Sequence, residues 1–275
     1  ESALRARFLI GLARSDTKLL RKLVEEKPDN PWAWRAAAAL ELFELGATAM
    51  RLSWVDEPTI LVADDSPFAA VDDVQKAEQE GVAFLVTTQR KDGSWIITTQ
   101  VSMTTPSFVT ATTAICGSSL IRFGKKEEVR RALDFVIGAE TETKGVTAFN
   151  YAVWARGFSL RFLAECVAAA IGDKTKTLRA MQIHIDALED EQAGLGGWSY
   201  VNLTEVGGAK DPSMGFVTAM VLLGLLDAKA AGAKVAPKTI ERAVACLSSM
   251  KGPDGCFSYQ GGAGRADAES SRRSP

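Results

Sequence analysis

Few residues in this sequence are of a type that could do chemistry, and their spacing limits it further. There is one histidine, His184, and there are four cysteines, Cys116, Cys166, Cys246 and Cys256. A zinc site needs three or four such ligands at short, characteristic spacings, and neither CxxC nor HExxH occurs. No metal and no cofactor is therefore expected. His184 falls at helical spacing beside Met181, Ile185 and Leu188, where the expected role is a packed or surface imidazole. Cys116, Cys166 and Cys246 sit in apolar helical patterns and read as small buried thiols. Paired carboxylates occur at Asp64-Asp65 and Asp72-Asp73, in a polar stretch where solvated charge or helix N-caps account for them. Arg156, Arg161 and Glu165 interrupt an otherwise apolar helix. Arg161 and Glu165 have the spacing of an intrahelical ion pair. Arg156 has no carboxylate close in sequence, so it is expected to point into a cavity or its rim, or to snorkel to the surface.

The elements that must position these residues belong to a globular chain of 275 residues, 47% apolar and 24% charged. Thirty-two basic against 34 acidic residues give no overall field for nucleic acid or an anionic membrane. No nucleic-acid partner is expected. The longest uncharged run, Gly93 to Ile121, has the length of a membrane span, but it carries twelve Ser, Thr or Gln residues between Thr98 and Ser119. No transmembrane segment is expected. The chain begins at Glu1 without Met and ends at Arg272-Arg273-Ser274-Pro275, which reads as a piece of something longer or a processed form.

A repeat organises the rest. Phe84-Leu85 is followed by Gln89, Gly93 and Trp95, and the same ruler fits Ala187-Leu188, Gln192, Gly196 and Trp198. A third copy runs Cys246-Leu247, Lys251, Gly255 and Phe257, and its Phe257-Ser258-Tyr259 echoes Trp198-Ser199-Tyr200. A degraded copy, Phe135-Val136 with Glu140, makes the successive spacings 51, 52 and 59 residues. Within each period the pattern predicts two kinds of helix. Segments 174–192 and 235–250 are one-sided, as outer helices would be, whereas 107–121, 149–171 and 211–228 are apolar or hydroxyl-bearing nearly all round, as enclosed helices would be.

Aromatic-Leu-x3-Gln-x3-Gly-x-Trp between paired helices resembles the QW motif of squalene cyclases and of the wider prenyltransferase and squalene-oxidase repeat family, over about residues 74–262. The resemblance implies an all-α fold, an α/α toroid, partial or complete, of paired inner and outer helices. It also implies that Gln89 with Trp95, and Gln192 with Trp198, are structural clasps, with Gly93, Gly196, Gly255 and Phe257 as the matching motif positions. Three chemistries of such toroids lack their residues here. Class II cyclases protonate an alkene with an Asp-x-Asp-Asp motif, and the matching stretch is Asp211-Pro212-Ser213-Met214. Protein prenyltransferases hold zinc through Asp, Cys and His, and only His184 could serve. Thioester domains need Cys-Gly-Glu-Gln, and this chain has Cys116-Gly117-Ser118-Ser119.

The domain organisation expected is a helical hairpin over 1–55, a linker over 56–73, the toroid repeats over 74–262 and a polar tail, or the start of a further repeat, over 263–275. Two helices, 3–26 and 32–53, would make the hairpin, split by Lys27-Pro28-Asp29-Asn30-Pro31. If enclosed helices turn their N-terminal ends to a cavity, Ser107 and Thr110 line it together with the candidate ligand-binding set Asn150, Tyr151, Trp154, Arg156, Asp211, Ser213 and Phe216. Helix capping by Asp211 and core packing by Trp154 compete with those roles. The functional expectation is a non-catalytic toroid that binds a hydrophobic small molecule, a peptide or a partner subunit, with a protein partner at the N-terminal hairpin or an open toroid edge. The alternative is an isoprenoid enzyme whose catalytic residues lie outside the matched motifs or beyond residue 275.

Overall fold

The computed structural model describes residues 4, 7, 8, 10, 11, 16–28, 31–44, 71–96, 106–139, 151–200, 213–252 and 256–260. Among these, the regular structure is nine α-helices with no strand, only isolated bridges. The chain divides into two units, Glu1–Gln89 and Arg90–Pro275.

In the first unit, α1 (Thr17–Glu26) starts at Asp16, whose Oδ1 accepts the Leu19 N–H at 3.0 Å. This overturns the expectation of one helix over 3–26. The apolar periodicity runs through, but a non-helical Asp16 caps a fresh start. Pro31 opens α2 (Pro31–Glu44), where a missing N–H costs nothing. The two helices close over Leu20, Leu23, Ala36, Ala39 and Leu40 together with Phe8. Arg7 ties the far end through Glu26 at 2.7 Å. Residues 45–55 lie outside the described residues, as do 56–70 of the expected linker. Residues 71–73 begin α3 (Val71–Thr88), the last helix of this unit.

The second unit holds α4 (Pro106–Ile121), α5 (Lys126–Ala139), α6 (Ala152–Ala168), α7 (Lys174–Asp190), α8 (Gly215–Ala231) and α9 (Pro237–Met250). They form two layers, because the sequence makes two kinds of helix. α6 packs between α4 and α8, and α5, α7 and α9 each lie chiefly against the helix that precedes them in the chain. The first set buries residues around its circumference, α6 from Val153 through Leu160, Phe162 and Leu163 to Cys166. The second set buries one stripe, such as Met181, Ile185 and Leu188 on α7 or Ile240, Ala243 and Val244 on α9. Each such Leu, Ile or Met contributes roughly 1.5–3 kcal/mol when taken from water. Small residues let the enclosed helices approach closely: a Cβ on Gly224 of α8 would stand 2.7 Å from the Gly157 carbonyl oxygen of α6.

Candidate functional site

Two structural seams are built from the repeat. In the first, Arg90 N–H donates to Ser94 O at 2.9 Å and Gly93 N–H to Arg90 O at 3.0 Å; in the second, Ala193 N–H donates to Gly197 O at 2.9 Å and Gly196 N–H to Ala193 O at 2.8 Å. Gly93 (φ 89°) and Gly196 (φ 94°) adopt the left-handed geometry that glycine alone takes without cost. The tryptophan that follows each turn is buried, Trp95 at 4% exposure and Trp198 at 0%. Its backbone N–H is received by a threonine hydroxyl of the next enclosed helix, Thr113 Oγ1 for Trp95 and Thr218 Oγ1 for Trp198, both at 3.1 Å.

The second seam also shows how its Gln and Trp are used. The Trp198 indole Nε1–H donates to Leu188 O at 2.8 Å. The Gln192 amide donates to Gly196 O and to Thr239 O, both at 2.8 Å, and its Oε1 accepts Arg242 at 2.9 Å. Gln192 thus joins the end of α7 to α9, while Trp198 is satisfied by α7 itself. Gln89 ends the first unit, its N–H donating to Leu85 O at 3.2 Å. In the third copy Gly255 lies outside the described residues and Phe257 is half-buried, bridged to Lys251.

The second and third copies of the repeat deliver two tyrosines to one place. Tyr200 follows Trp198-Ser199 and Tyr259 follows Phe257-Ser258, and their hydroxyls are hydrogen-bonded to each other. With five more half-buried rings, Phe108, Tyr151, Trp154, Phe158 and Phe216, at the N-terminal ends of α4, α6 and α8, they make a connected set of seven. Neighbouring centroids are 5.0 Å apart for Phe108 and Tyr151, 5.6 Å for Tyr151 and Tyr200, 5.2 Å for Tyr200 and Phe216, and 5.4 Å for Phe216 and Tyr259. Trp154 meets Phe108 at 6.2 Å and Tyr200 at 6.3 Å, edge to face. A shared end for three enclosed helices means that they run parallel, with the covering helices running back between them.

Tyr151 is held at a cost. It occupies the N-cap of α6 with φ 55° and ψ 29°, a left-handed conformation, and its side chain caps nothing. Asn, Asp or Gly would suit that backbone better, and a bulky residue there is strained by roughly 1–3 kcal/mol. The ring, not the backbone, explains a tyrosine at this position.

Of the residues expected at a cavity, Tyr151, Trp154 and Phe216 come together in this aromatic cluster. Asn150 and Asp211 lie outside the described residues. Ser213 is fully buried beside Gly197 and the Cys246 thiol. Ser107 and Thr110 are buried within the helix layer. Arg156 neither lines the cluster as a free cation nor snorkels; it is 7% exposed and clasps the Glu191 carboxylate, with Oε2 at 2.7 Å. A guanidinium taken from water needs a carboxylate, and the end of α7 supplies one that lies 35 residues away in sequence. Arg161, expected to pair with Glu165, reaches Asp227 of α8, at 3.2 Å. Sequence reasoning missed Phe108, Tyr200, Tyr259, Thr113 and Thr218. The signal available for the tyrosines was the Trp-Ser-Tyr and Phe-Ser-Tyr echo.

The titratable groups nearby are poised for packing. His184 is 2% exposed with Nε2 unpartnered, and burial first, then the Arg156 charge, holds its pKa down to about 3. Burial pushes the Cys116 thiol up to about 11 and raises Cys166 and Cys246 as well, so none is a ready nucleophile. Among the described residues no group of His, Cys, Asp and Glu is placed to hold a metal, and no helix is long and apolar enough to cross a membrane. No family model, no curated protein and no solved structure matches the chain.

Proposed function

We propose that this chain is a non-catalytic helical toroid of the squalene-cyclase-like kind, which binds a hydrophobic ligand in the aromatic basin at the shared end of α4, α6 and α8. The observation that carries the reading is the aromatic cluster: seven half-buried rings converge there from five segments of the chain. Aromatic walls with a few placed hydroxyls are what a site for an apolar small molecule requires. The alternation of enclosed and covering helices supports a toroidal arc, and the Gln192 bonds support its clasps. The non-catalytic part rests on the missing paired acids at Ser213 and Met214 and on the burial of the Cys166 and Cys246 thiols and of the His184 imidazole.

The test is titration with N-phenyl-1-naphthylamine, a neutral fluorescent apolar probe. Saturable binding that weakens at least tenfold in Phe216→Ala and stays unchanged in Leu223→Ala, an exposed position on α8, is the expected result. Absence of saturable binding overturns the reading. Incubation with squalene or a prenyl diphosphate should give no product, and turnover abolished by Asp211→Asn would overturn the non-catalytic part.

A further inference from the structure

We infer that the end of the second unit opposite the aromatic cluster is a docking surface for an anionic lipid bilayer, met by the three turns that join each enclosed helix to its covering helix. This surface is independent of the ligand site proposed above.

The helix layer brings these turns together. A Cβ on Gly117 of α4 would stand 2.5 Å from the Phe162 ring of α6, and one on Gly224 of α8 would stand 2.7 Å from the Gly157 carbonyl oxygen of α6. Those contacts set the three enclosed helices in register. Their last residues, Ile121, Ala168 and Ala231, therefore lie within about one helical turn of a common level. With about 8–10 Å between packed helices, the turns that follow spread over about 20 Å.

Over residues 122–128, 169–176 and 232–239 there are seven cations against three carboxylates, in a chain whose formal net charge is -2. Arg122, Lys125 and Lys126 come from the first turn, Lys174 and Lys176 from the second, and Lys234 and Lys238 from the third; all are exposed. Among the described residues none of these seven side chains is in an ion pair. Two of the carboxylates are engaged locally: Asp173 accepts the Lys176 backbone N–H at 2.9 Å, and Glu128 lies 3.8 Å from Arg131. The third is Glu127. The chain-wide balance of charge therefore conceals a local positive field. Helix ends add nothing net to it, since three enclosed helices finish here and three covering helices begin, and their opposite dipole ends meet.

The charges and one ring together select a bilayer. Six of the seven cations are lysines, hydrated point charges suited to a diffuse layer of anions more than to the forked reading of single phosphates. Near anionic lipid such a cluster gains on the order of fivefold in binding per cation. Between Arg122 and Lys125, Phe123 stands 41% exposed. Water opposes an exposed phenyl ring, whereas a bilayer takes it into the boundary between headgroups and acyl chains while the flanking cations stay at the phosphates. An RNA strand or an acidic protein would answer the lysines, but a planar partner meets three turns of one level at once.

Co-sedimentation of the full chain with vesicles tests this. Phosphatidylcholine vesicles with phosphatidylserine as about a third of the lipid should bind at least about tenfold tighter than phosphatidylcholine alone, and about 0.5 M salt should abolish the difference. Lys126→Gln with Lys176→Gln should weaken binding about tenfold or more, and Phe123→Ser severalfold, each with an unchanged melting temperature. Lys251→Gln, at an exposed position past the end of α9, should bind as the native chain does. Equal binding to the two kinds of vesicle overturns the inference, as does full binding by the double variant or by Phe123→Ser. Poly(U) RNA or polyglutamate bound more tightly than the vesicles through the same lysines would make this end a site for a nucleic acid or an acidic protein, and overturns the bilayer assignment.

Discussion

Gly196 lies so close to the Arg242 carbonyl that the turn has no room for a Cβ there, and its backbone is in the left-handed region as well. Two independent costs therefore meet in Gly196→Ala, which should lose about 3 kcal/mol in urea unfolding. Gly138→Ala is the control. It sits on helix α5 with nothing within 4 Å of the added methyl and should gain up to about 1 kcal/mol. Equal effects from the two would remove the turn from the structure's critical contacts.

Trp198 and Trp154 should separate stability from binding. Trp198 is fully buried, its indole bonded to Leu188 O, so Trp198→Ala should cost roughly 3–5 kcal/mol. Thr218→Val, which strips the acceptor from the Trp198 N–H, should cost about 1–3 kcal/mol. Trp154 is half-buried in the basin, and Trp154→Ala should weaken probe binding with the smaller loss of stability. A melting temperature unchanged in Trp198→Ala would contradict the seam role.

What the sequence makes legible is whatever needs a particular residue at a fixed spacing. The turns are visible because only glycine takes φ near 90° against a carbonyl, and the all-α layering is visible because enclosed and one-sided helices differ in how polarity is distributed around them. Partners chosen by tertiary proximity are not visible. Glu191 and Asp227 lie 35 and 66 residues from the arginines they meet, and Thr113 looks like any hydroxyl on a helix rich in them. The basin was half legible: Tyr151, Trp154 and Phe216 stand at helix starts, but Tyr200 and Tyr259 read as echoes of the repeat until their hydroxyls are seen to meet. Asp16 was missed because the apolar period continues across it.

The Arg156–Glu191 pair should behave as buried pairs do. Arg156→Met alone should cost about 3–5 kcal/mol by stranding the carboxylate, and adding Glu191→Leu should recover most of it. A double-mutant cycle with no coupling would contradict the pairing.

His184 should give the fold an acid-sensitive component. Its folded pKa of about 3 lies below the ordinary 6.5, so the unfolded chain takes up the proton first as pH falls. The stability His184 permits is complete above pH 6.5 and drains away towards pH 3, at a limiting slope of about 1.4 kcal/mol per pH unit. Urea unfolding at pH 7.5, 6.0 and 5.0 should show the native chain losing more than His184→Leu. Parallel curves would mean that the imidazole is solvated.

The glycine abutting the Arg242 carbonyl works as an index notch. It sets how far α9 can slide along its own axis, and Gly93 sets α5 in the same way against Arg131. An extra residue placed in the loop before α9 leaves the notch engaged. The same residue inserted between Pro237 and Arg242 turns either the preceding or the following part of the helix by about 100°, so the carbonyl and the buried stripe can no longer both be in place. Length variation in this chain should therefore be tolerated between helices and punished within the first turns of α5 and α9.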